Sequence, residues 1–346
     1  MAMRHSAGRR RRHSRRKTLA IGLGLAALYA FTLLFIQTVG SRIEHRDDPA
    51  EPVGSLEGRF DQDELTYRYM NKTWRYRRND LTNILMIGVD WTDTEQALES
   101  SRYKGQADFL QLVSIDKRSK TVSTIHIDRD TLTPVRIYGP FGDYAGVRET
   151  QICLSHAYGS TQQQCCENTV WAVSQLLGGI PIKGYMVMDV GGIAAVNDAL
   201  GGVTVTLEDD FTHLDPSMAA GATLTLRGEQ AEHYVRSRLG VGAGTNISRM
   251  ERQRTFAENA NALMLEGMKK DMNYIGSILD EISGHVATNL SRGFMINTAY
   301  SSREYERTGV HSVFGVHEIG ADGFMGFTPD PDSLGELLTS LFFEKK

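Results

Sequence analysis

An uncharged stretch near the N-terminus constrains the architecture of this 346-residue chain more than any other feature. Residues 18–40 (TLAIGLGLAALYAFTLLFIQTVG) contain no Asp, Glu, Lys or Arg. At a helical rise of ~1.5 Å per residue, such a segment crosses a hydrocarbon core ~30 Å thick. The alternative is a secretory signal peptide, but the apolar run is longer than usual for one and no small-residue cleavage site follows it. We therefore predict a single uncleaved transmembrane anchor.

The residues that flank this anchor set its orientation. Residues 1–17 hold eight Lys and Arg residues and no acidic residue. Because positive flanks stay in the cytoplasm, we predict a cytoplasmic basic tail over residues 1–17, a single-pass anchor in the cell membrane, and an extracellular remainder. The remainder is acidic, since the whole chain has a net charge of −4. A nucleic-acid-binding function is therefore excluded, as the tail is too short to fold into a DNA-binding domain.

Beyond the anchor, composition and periodicity predict two regions. Residues 41–80 are polar, so we predict that they form a juxtamembrane spacer, helical in part over residues 62–77. Residues 81–346 predict one extracellular α/β domain with a mixed central sheet, in which residues 109–127 form a hairpin and residues 132–151 form loops. The predicted strands cover residues 83–90, 109–115, 121–127, 185–189, 203–207 and 310–319, and the predicted helices cover residues 168–177, 190–200, 228–235, 249–267, 272–287, 291–303 and 332–343.

Three cysteines, Cys153, Cys165 and Cys166, lie close together in the sequence. In an extracellular domain, a local disulfide from Cys153 to one of the other two is one interpretation, and three free thiols are the other. A zinc site is disfavoured, because His156 is the only nearby partner and no C-x-x-C motif is present.

Four arginines gather around one glycine-rich loop within residues 226–253 (LRGEQAEHYVRSRLGVGAGTNISRMERQ). Arg236 and Arg238 follow the helix predicted over residues 228–235. A second helix is predicted to open at Ser248, which forms a capping box with Glu251. That start places Arg249 at the first helical position. Arg252, three residues later, lies on the same face.

Positive side chains at the start of a helix predict an anion opposite them. The helix dipole is already positive there, and its free N–H groups favour a phosphate. The cluster therefore indicates a pyrophosphate site with bidentate guanidinium contacts. The alternative is a solvated basic helix start with scattered surface ion pairs.

Acidic residues at strand ends could join this site. Asp90 ends the first predicted strand and Asp108 precedes the second. If these strands are neighbours, both carboxylates lie at one rim of the sheet, as a Mg²⁺ ion bound beside phosphate requires. Arg129 adds a guanidinium after the third strand, with Asp128 or Asp130 to orient an arginine or act as a base. The alternative for each aspartate is a turn cap.

Several of these segments occur together in one known family. The chain resembles the LytR–CpsA–Psr (LCP) family over roughly residues 83–256. The segments that carry the resemblance are NILMIGVD, ADFLQLVSID, IDRDT, HAYG, MDVGGIAAVNDALGGVTV, LRGEQAEHYVRSR and SRMERQR, in that order. The last two segments are the most specific, and the basic tail with a single anchor also matches the family's layout.

The resemblance implies an extracytoplasmic phosphotransferase with an α/β/α sandwich fold and a hydrophobic pocket for a lipid. Such enzymes move a polyprenyl-pyrophosphate-linked glycopolymer, a teichoic acid or capsule, onto peptidoglycan and form a phosphodiester. By the same resemblance, Asp90 and Asp108 bind Mg²⁺ or Mn²⁺, and Arg129, Arg236, Arg238 and Arg249 face the pyrophosphate. Asp130 and Arg252 match other motif positions, and Arg252 is expected to bind the pyrophosphate with the other arginines. Arg129, Asp130, Arg236 and Arg238 are expected to be the catalytic residues.

Some positions depart from the family pattern. Gln106 stands where the family has arginine, Asp128 where it has proline, Gln151-Ile152-Cys153 where it has K-[IL]-N, Asn246 where it has aspartate and Ser248 where it has glycine. These departures remove a positive charge and a carboxylate from the predicted site. They keep two alternatives open, a hydrolase that uses water as acceptor and a non-catalytic module that binds the lipid-linked precursor.

Overall fold

The structure is a computed structural model that describes residues 65–89, 105–139, 142–237, 240–242, 246–320 and 323–346. Its strands are β1 (Thr66–Tyr69), β2 (Lys72–Tyr76), β3 (Leu81–Val89), β4 (Ala107–Asp116), β5 (Thr121–Ile127), β6 (Leu132–Tyr138), β7 (Tyr144–Gln151), β8 (Gly184–Met188), β9 (Thr204–Thr206), β10 (Thr223–Thr225), β11 (Val286–Thr288), β12 (Glu306–Ser312), β13 (Gly315–Ile319), β14 (Met325–Pro329) and β15 (Phe343–Lys345). Its α-helices are α1 (Gln162–Leu176), α2 (Gly192–Ala199), α3 (Glu229–Arg236), α4 (Asn246–Lys270), α5 (Tyr274–Glu281), α6 (Arg292–Ser302) and α7 (Pro331–Leu341).

A six-stranded sheet forms the centre of the fold, in the order β11-β8-β3-β4-β5-β12. The pairs β8–β3 and β5–β12 are parallel, and the other three pairs are antiparallel. The sheet is therefore mixed, and the predicted α/β fold with a mixed central sheet is confirmed. The predicted hairpin is also confirmed, since β4 and β5 are joined by the turn over residues 117–120.

Alternating side chains along the central strands build a separate core on each face of the sheet. Met86 of β3 packs in a cluster with residues of α2 to α6. Its neighbours Leu85 and Ile87 point to the opposite face and pack with residues of α1 and α7. Because successive side chains of a strand face opposite sides, two helical layers enclose one sheet.

The helix predicted within residues 62–77 is wrong over its described part, which is the hairpin of β1 and β2. Met70 and Asn71 at its turn both have positive φ, of 50° and 56°, as a tight two-residue hairpin loop requires. Tyr67 and Tyr76 are buried in the core that also contains Phe343. The aromatic residues of this segment therefore favour strands, and β2 pairs with both β1 and the C-terminal β15.

Three further segments differ from their predicted secondary structure. Residues 132–151, predicted as loops, form the β6–β7 hairpin, with Pro134 in a two-stranded edge arrangement. The helix predicted over residues 272–287 ends with α5, and β11 then pairs with β8. The strand predicted over residues 310–319 is divided between β12, in the central sheet, and β13, which pairs with β14.

The described ranges contain no helix that is both long and apolar enough to span a membrane. The predicted anchor at residues 18–40 lies outside those ranges, so it stays a prediction. Cys153, Cys165 and Cys166 are all buried thiols, and none of them forms a disulfide within the described ranges, so the disulfide interpretation is wrong and the thiol interpretation is confirmed. Burial raises the pKa of the Cys153 thiol to about 11, against the opposing charge of Arg129, and the thiol is therefore neutral at pH 7.

Candidate functional site

A β-bulge places Asp108 at the end of the central sheet. Gly88 of β3 pairs with Phe109 of β4, and Val89 pairs with Ala107, so Asp108 is the extra residue between the two pairs. Its backbone N–H donates to the carbonyl of Gln106 at 3.0 Å. Bulges re-aim a side chain at the edge of a sheet. The Asp108 side chain is 7% exposed, so its carboxylate needs partners within the protein.

Arg129, which follows β5, is the main partner of this carboxylate. Its Nη1 donates to Asp108 Oδ1, and its Nη2 donates to Gln106 Oε1 at 2.6 Å. Nη2 also lies 3.7 Å from Cys153 Sγ. Burial by itself would lower the pKa of Arg129, but the charge of Asp108 raises it above its ordinary value. A permanent positive charge is thus fixed beside Asp108, and a quarter of the Arg129 side chain stays exposed.

Asp130 lies on the other side of this guanidinium. Its Oδ1 is 3.7 Å from Arg129 Nε and accepts a hydrogen bond from Gln151 Nε2 at 3.1 Å. Burial raises the pKa of Asp130 and the Asp128 carboxylate adds to the increase, while the charges of Arg129 and His317 oppose it. A raised carboxylate pKa beside a fixed arginine is a feature of functional sites.

The β13–β14 hairpin holds the loop that carries Arg129 and Asp130. The N–H of Phe327 donates to the carbonyl of Asp130 at 2.8 Å, and Thr131 forms a parallel bridge with Phe327. His317 Nε2 is 3.0 Å from Asp128 Oδ2. Sequence reasoning missed His317, because 189 positions separate it from Asp128 and no motif joins them.

Arg236 ends α3, the helix that the sequence predicts over residues 228–235. It is 6% exposed, and its Nη1 donates to Glu232 Oε1 one turn earlier. A cation in the last turn of a helix is favoured by the helix dipole. Val235, the preceding residue, lies in the same core cluster as Phe109, which follows Asp108. The chain neighbours of Arg236 and Asp108 therefore belong to one core.

Arg252 of α4 is bound within the protein. Its Nε donates to the carbonyl of Tyr234 at 2.9 Å, its Nη1 to Asp209 Oδ2 at 2.6 Å, and its Nη2 to the carbonyl of Ser237. Its guanidinium also lies 5.3 Å from the centre of the Phe211 ring. Burial lowers the pKa of Arg252, but the opposing charge of Asp209 favours its protonated form. These contacts fix the end of α3, where Arg236 lies.

The start of α4 differs from its prediction. The helix begins at Asn246, so Ser248 lies inside its first turn and Arg249 is not the first helical residue. The predicted start depended on one local capping pattern, and the helix begins two residues before the predicted cap Ser248. Arg238, Asp90 and the side chain of Arg249 lie outside the described part of the structure. Their predicted roles stay predictions.

An apolar cavity of about 60 Å³ lies between the central sheet and helices α4, α5 and α6. It is on the face of the sheet that carries Val235 and Phe109. Its lining is almost wholly hydrocarbon and consists of Ile84, Met86, Val113, Ile115, Met186, Met264, Ile275, Ile278, Leu279, Leu290, Met295 and Thr298. Such a lining suits an apolar ligand.

The described residues hold one of the two predicted metal ligands. Within the described ranges, no three His, Cys, Asp or Glu side chains converge on a common metal position. The register does place Val89 opposite Ala107, the residues that precede Asp90 and Asp108 in sequence. One or two carboxylates fit Mg²⁺, which keeps several waters and takes its other ligands from phosphate oxygens.

Relatives of this chain are known by name. The profile of the LytR_cpsA_psr family matches residues 32–341. The polyisoprenyl-teichoic acid–peptidoglycan teichoic acid transferase TagU of Bacillus subtilis (strain 168) is 26% identical over 284 residues, or 82% of this chain and 81% of that protein. The protein of the same name from Bacillus mycoides (strain KBAB4) is 26% identical over 65% of this chain and 66% of its own length, slightly less than two thirds of it.

Solved structures share the fold. B. subtilis TagV is 24% identical with a TM-score of 0.56, and the match covers 76% of this chain and 96% of that one. The protein gbs0355 from Streptococcus agalactiae is 23% identical with a TM-score of 0.57, over 76% of this chain and 87% of that one. At these identities the likeness shows the fold alone. Since the family profile spans most of the sequence, this chain belongs to the LytR_cpsA_psr family, as its motifs predict.

Proposed function

We propose that this protein transfers a polyprenyl-pyrophosphate-linked glycopolymer, of teichoic acid or capsule type, onto peptidoglycan and forms a phosphodiester. The observation that carries the proposal is the ion pair between the partly exposed Arg129 and the buried Asp108 at the bulged end of the sheet. A fixed guanidinium with one exposed side is suited to a phosphate, whose geometry it matches. The names of the TagU relatives, which describe this reaction for those proteins, support the proposal.

The donor in this proposal is a membrane lipid derivative, and we assign each of its parts to one region of the chain. The apolar cavity between the sheet and α4 to α6 receives part of the polyprenyl chain. Arg129 and Arg236 bind the pyrophosphate, together with Arg238 and Arg249 from the glycine-rich loop and the start of α4. Arg252 positions the end of α3 through its bonds to the carbonyls of Tyr234 and Ser237.

A divalent cation, Mg²⁺ or Mn²⁺, completes the donor site in this proposal. Asp108 and Asp90 would hold it, and it would neutralise charge on the pyrophosphate. The remaining contributions come from the chain's own residues. Arg129 offsets negative charge that develops on the transferred phosphate, and Asp130 keeps the guanidinium oriented. Positioning and charge neutralisation are most of what phosphoryl transfer requires.

The location of the protein follows from the same scheme. The anchor at residues 18–40 would hold the domain on the outer face of the cell membrane, with the basic tail in the cytoplasm. Donor lipid and acceptor peptidoglycan then meet at the membrane surface. No nucleic acid takes part.

The proposal is tested with the full chain in detergent, incubated with Mg²⁺ and a polyprenyl-pyrophosphate glycan, with and without a peptidoglycan oligomer. Mass spectrometry should find a phosphodiester-linked product that requires both substrates and disappears with EDTA. Release of a free glycan phosphate at the same rate without the oligomer would replace the proposal with a hydrolase. Bound donor with no turnover would replace it with a binding module.

A further inference from the structure

We propose that a second cavity, on the opposite face of the sheet, binds the hydroxyl-bearing sugar of the acceptor, and that His317 accepts the proton of the attacking hydroxyl. This inference rests on the proposed transferase function, because it supplies the acceptor site and the base for that reaction. The cavity has a volume of about 230 Å³ and lies between β5, the end of α1 and the β13–β14 hairpin. Its polar lining includes Asp128, Thr131, Ser312 and His317.

Asp128 and His317 form an oriented acid–base pair at this cavity. The Asp128 carboxylate accepts a hydrogen bond from His317 Nε2 at 3.0 Å. With the Nε2 proton directed at a carboxylate, the neutral imidazole presents Nδ1 as its proton acceptor. The carboxylate also stabilises the imidazolium that forms after proton uptake. An acid, a histidine and a hydroxyl in this order are the general arrangement that activates a hydroxyl nucleophile.

Hydrogen bonds and one ring contact position the pair beside the arginine proposed to bind phosphate. Thr131 Oγ1 donates to the carbonyl of Asp128 at 2.6 Å, and the N–H of Asp130 donates to Asp128 Oδ1 at 2.9 Å. The His317 ring packs against Phe327, with ring centres 4.7 Å apart. Asp128 precedes Arg129 in the chain, so one short loop carries both the carboxylate that binds His317 and the arginine proposed to bind the phosphate.

The two cavities lie on opposite faces of the central sheet. Met86 and Val113 line the apolar cavity and belong to one core cluster. Ile125 and Ile127 line the second cavity and belong to the other. In an in-line displacement, the nucleophile attacks opposite the leaving group. A lipid phosphate that leaves on one face and a hydroxyl that arrives from the other meet this requirement at the end of the sheet, where Arg129 lies.

The lining is suited to a sugar rather than to an apolar chain. His317 offers a half-exposed ring surface, while Asp128 and Ser312 offer polar atoms. Ligand sites combine an apolar surface with a few polar groups that fix orientation. The apolar cavity has hardly any polar surface. We therefore assign the polyprenyl chain to the apolar cavity and the acceptor sugar to the second cavity.

The transfer exchanges one phosphorus–oxygen bond for another. The acceptor oxygen forms a bond to the phosphorus atom that bears the glycan, and the bond from that phosphorus to the bridging oxygen breaks. The electron pair of the broken bond leaves with the polyprenyl phosphate. The hydroxyl proton passes to His317 Nδ1 and later to solvent.

The test compares His317→Gln and Asp128→Asn with the wild-type full chain. Glutamine still donates a hydrogen bond to Asp128 but takes up no proton. We expect kcat to fall by roughly 100-fold in His317→Gln, as the loss of a general base does, with unchanged donor binding. The acid side of the pH profile of kcat should also disappear. The titratable groups facing His317 are Asp128, His126 across the cavity, and Asp130, whose pKa the His317 charge affects.

His285→Gln is the matched control. His285 also bonds to an aspartate, with Nδ1 2.9 Å from Asp189 Oδ1, and it is similarly exposed. It lies next to β11 at the far edge of the sheet, so its substitution should leave kcat unchanged. A kcat for His317→Gln equal to that of the control would overturn the proton-acceptor role, whatever happens to the KM for the acceptor. Asp128→Asn provides the second variant if His317→Gln folds poorly, and it should lower kcat by roughly tenfold or more.

Failure of the transferase function itself would look different, since the wild type would then form no phosphodiester. In that case the cavity is tested directly by NMR of the histidine ring signals during addition of an N-acetylated amino-sugar oligosaccharide. Shifts of the His317 signals without shifts of the His285 signals would support the sugar site. Unchanged His317 signals would overturn it.

Discussion

The Asp108 carboxylate and the Arg129 guanidinium form a partly buried ion pair at the only register shift between β3 and β4 in the described structure. Asp108 reaches the rim because it is the extra residue of the bulge, and Arg129 reaches it because β5 ends two residues earlier. Gln106, just before β4, accepts a further hydrogen bond from Arg129, donated by Nη2. The pair therefore depends on strand register, and its two members act as one unit.

Replacing Asp108 with asparagine should show which effects of this pair depend on the negative charge and which depend on the hydrogen-bond geometry. Asparagine keeps one oxygen that can accept from Arg129 but removes the negative charge. We expect the free energy of unfolding to fall by about 1.5–3 kcal/mol, as for other hydrogen bonds to charged groups. Transfer activity should fall by roughly 100-fold, because the arginine and the proposed cation lose their shared carboxylate. Urea unfolding and initial rates measure the two effects, and full activity would contradict the assigned role.

Replacing Arg236 with lysine should preserve the charge and remove the planar fork. Because Arg236 is buried beside Glu232, lysine can keep that ion pair. We expect kcat/KM for the donor to fall by roughly 100-fold, since a bidentate contact to phosphate is lost. Arg292→Lys is the control, as Arg292 forms an exposed ion pair with Asp280. Equal rates for both variants would show that Arg236 has no contact with the donor.

We expect Arg252 to contribute to the stability of the protein rather than directly to catalysis. Arg252→Met removes the donor to the Tyr234 and Ser237 carbonyls and leaves the Asp209 carboxylate without its partner arginine. A loss of about 3 kcal/mol in the free energy of unfolding is expected, because a buried ion pair is broken from one side. Urea unfolding measures it. A variant as stable as the wild type but with weak donor binding would instead place Arg252 in contact with the pyrophosphate.

The raised pKa of Asp130 predicts how stability depends on pH. Since its pKa in the folded protein lies above the ordinary value of 3.8, the protonated form favours folding. This contribution is complete below pH 3.8 and is lost as the pH rises through the folded-state pKa. The stability of Asp130→Asn relative to wild type should therefore increase from pH 3.8 to pH 7. Urea unfolding across this range is the measurement, and a difference that moves in the other direction would contradict the burial of the charge.

Gln106 stands where the family pattern has arginine, which suggests a gain-of-function test. Gln106→Arg adds a guanidinium beside Arg129 and removes the oxygen that accepts its Nη2 hydrogen bond. We expect a several-fold lower KM for the pyrophosphate donor, with a steeper dependence on salt, because an exposed charge is screened. Stability should fall slightly through repulsion between the two arginines. An unchanged KM would show that residue 106 does not face the donor.

The parts of the fold that were predictable have local signals. The apolar runs of β3, β4 and β5 mark buried strands, and the glycines after α2 mark its end. The β1–β2 hairpin was not predictable as part of the fold, because its partner β15 lies about 270 residues away along the chain. Pairing over such separations leaves no periodic signal in either segment.

The candidate site also combines residues that have a local sequence signal with residues that have none. Arg129 and Arg236 stand in recognisable motifs beside predicted strand and helix ends. The bulge that directs Asp108 depends on the register between two strands, and the Asp128–His317 pair depends on how the β13–β14 hairpin docks. Neither follows from residue spacing, since both are set by tertiary contacts.

The central claim, transfer to an acceptor hydroxyl, is tested most directly by running the complete reaction in water enriched in ¹⁸O. The donor, Mg²⁺, the peptidoglycan oligomer and the full chain are combined, and the glycan phosphate is analysed by mass spectrometry. The account predicts a phosphodiester without ¹⁸O, because its new oxygen comes from the acceptor. A glycan phosphate monoester containing one ¹⁸O atom as the main product would contradict the account and identify a hydrolase.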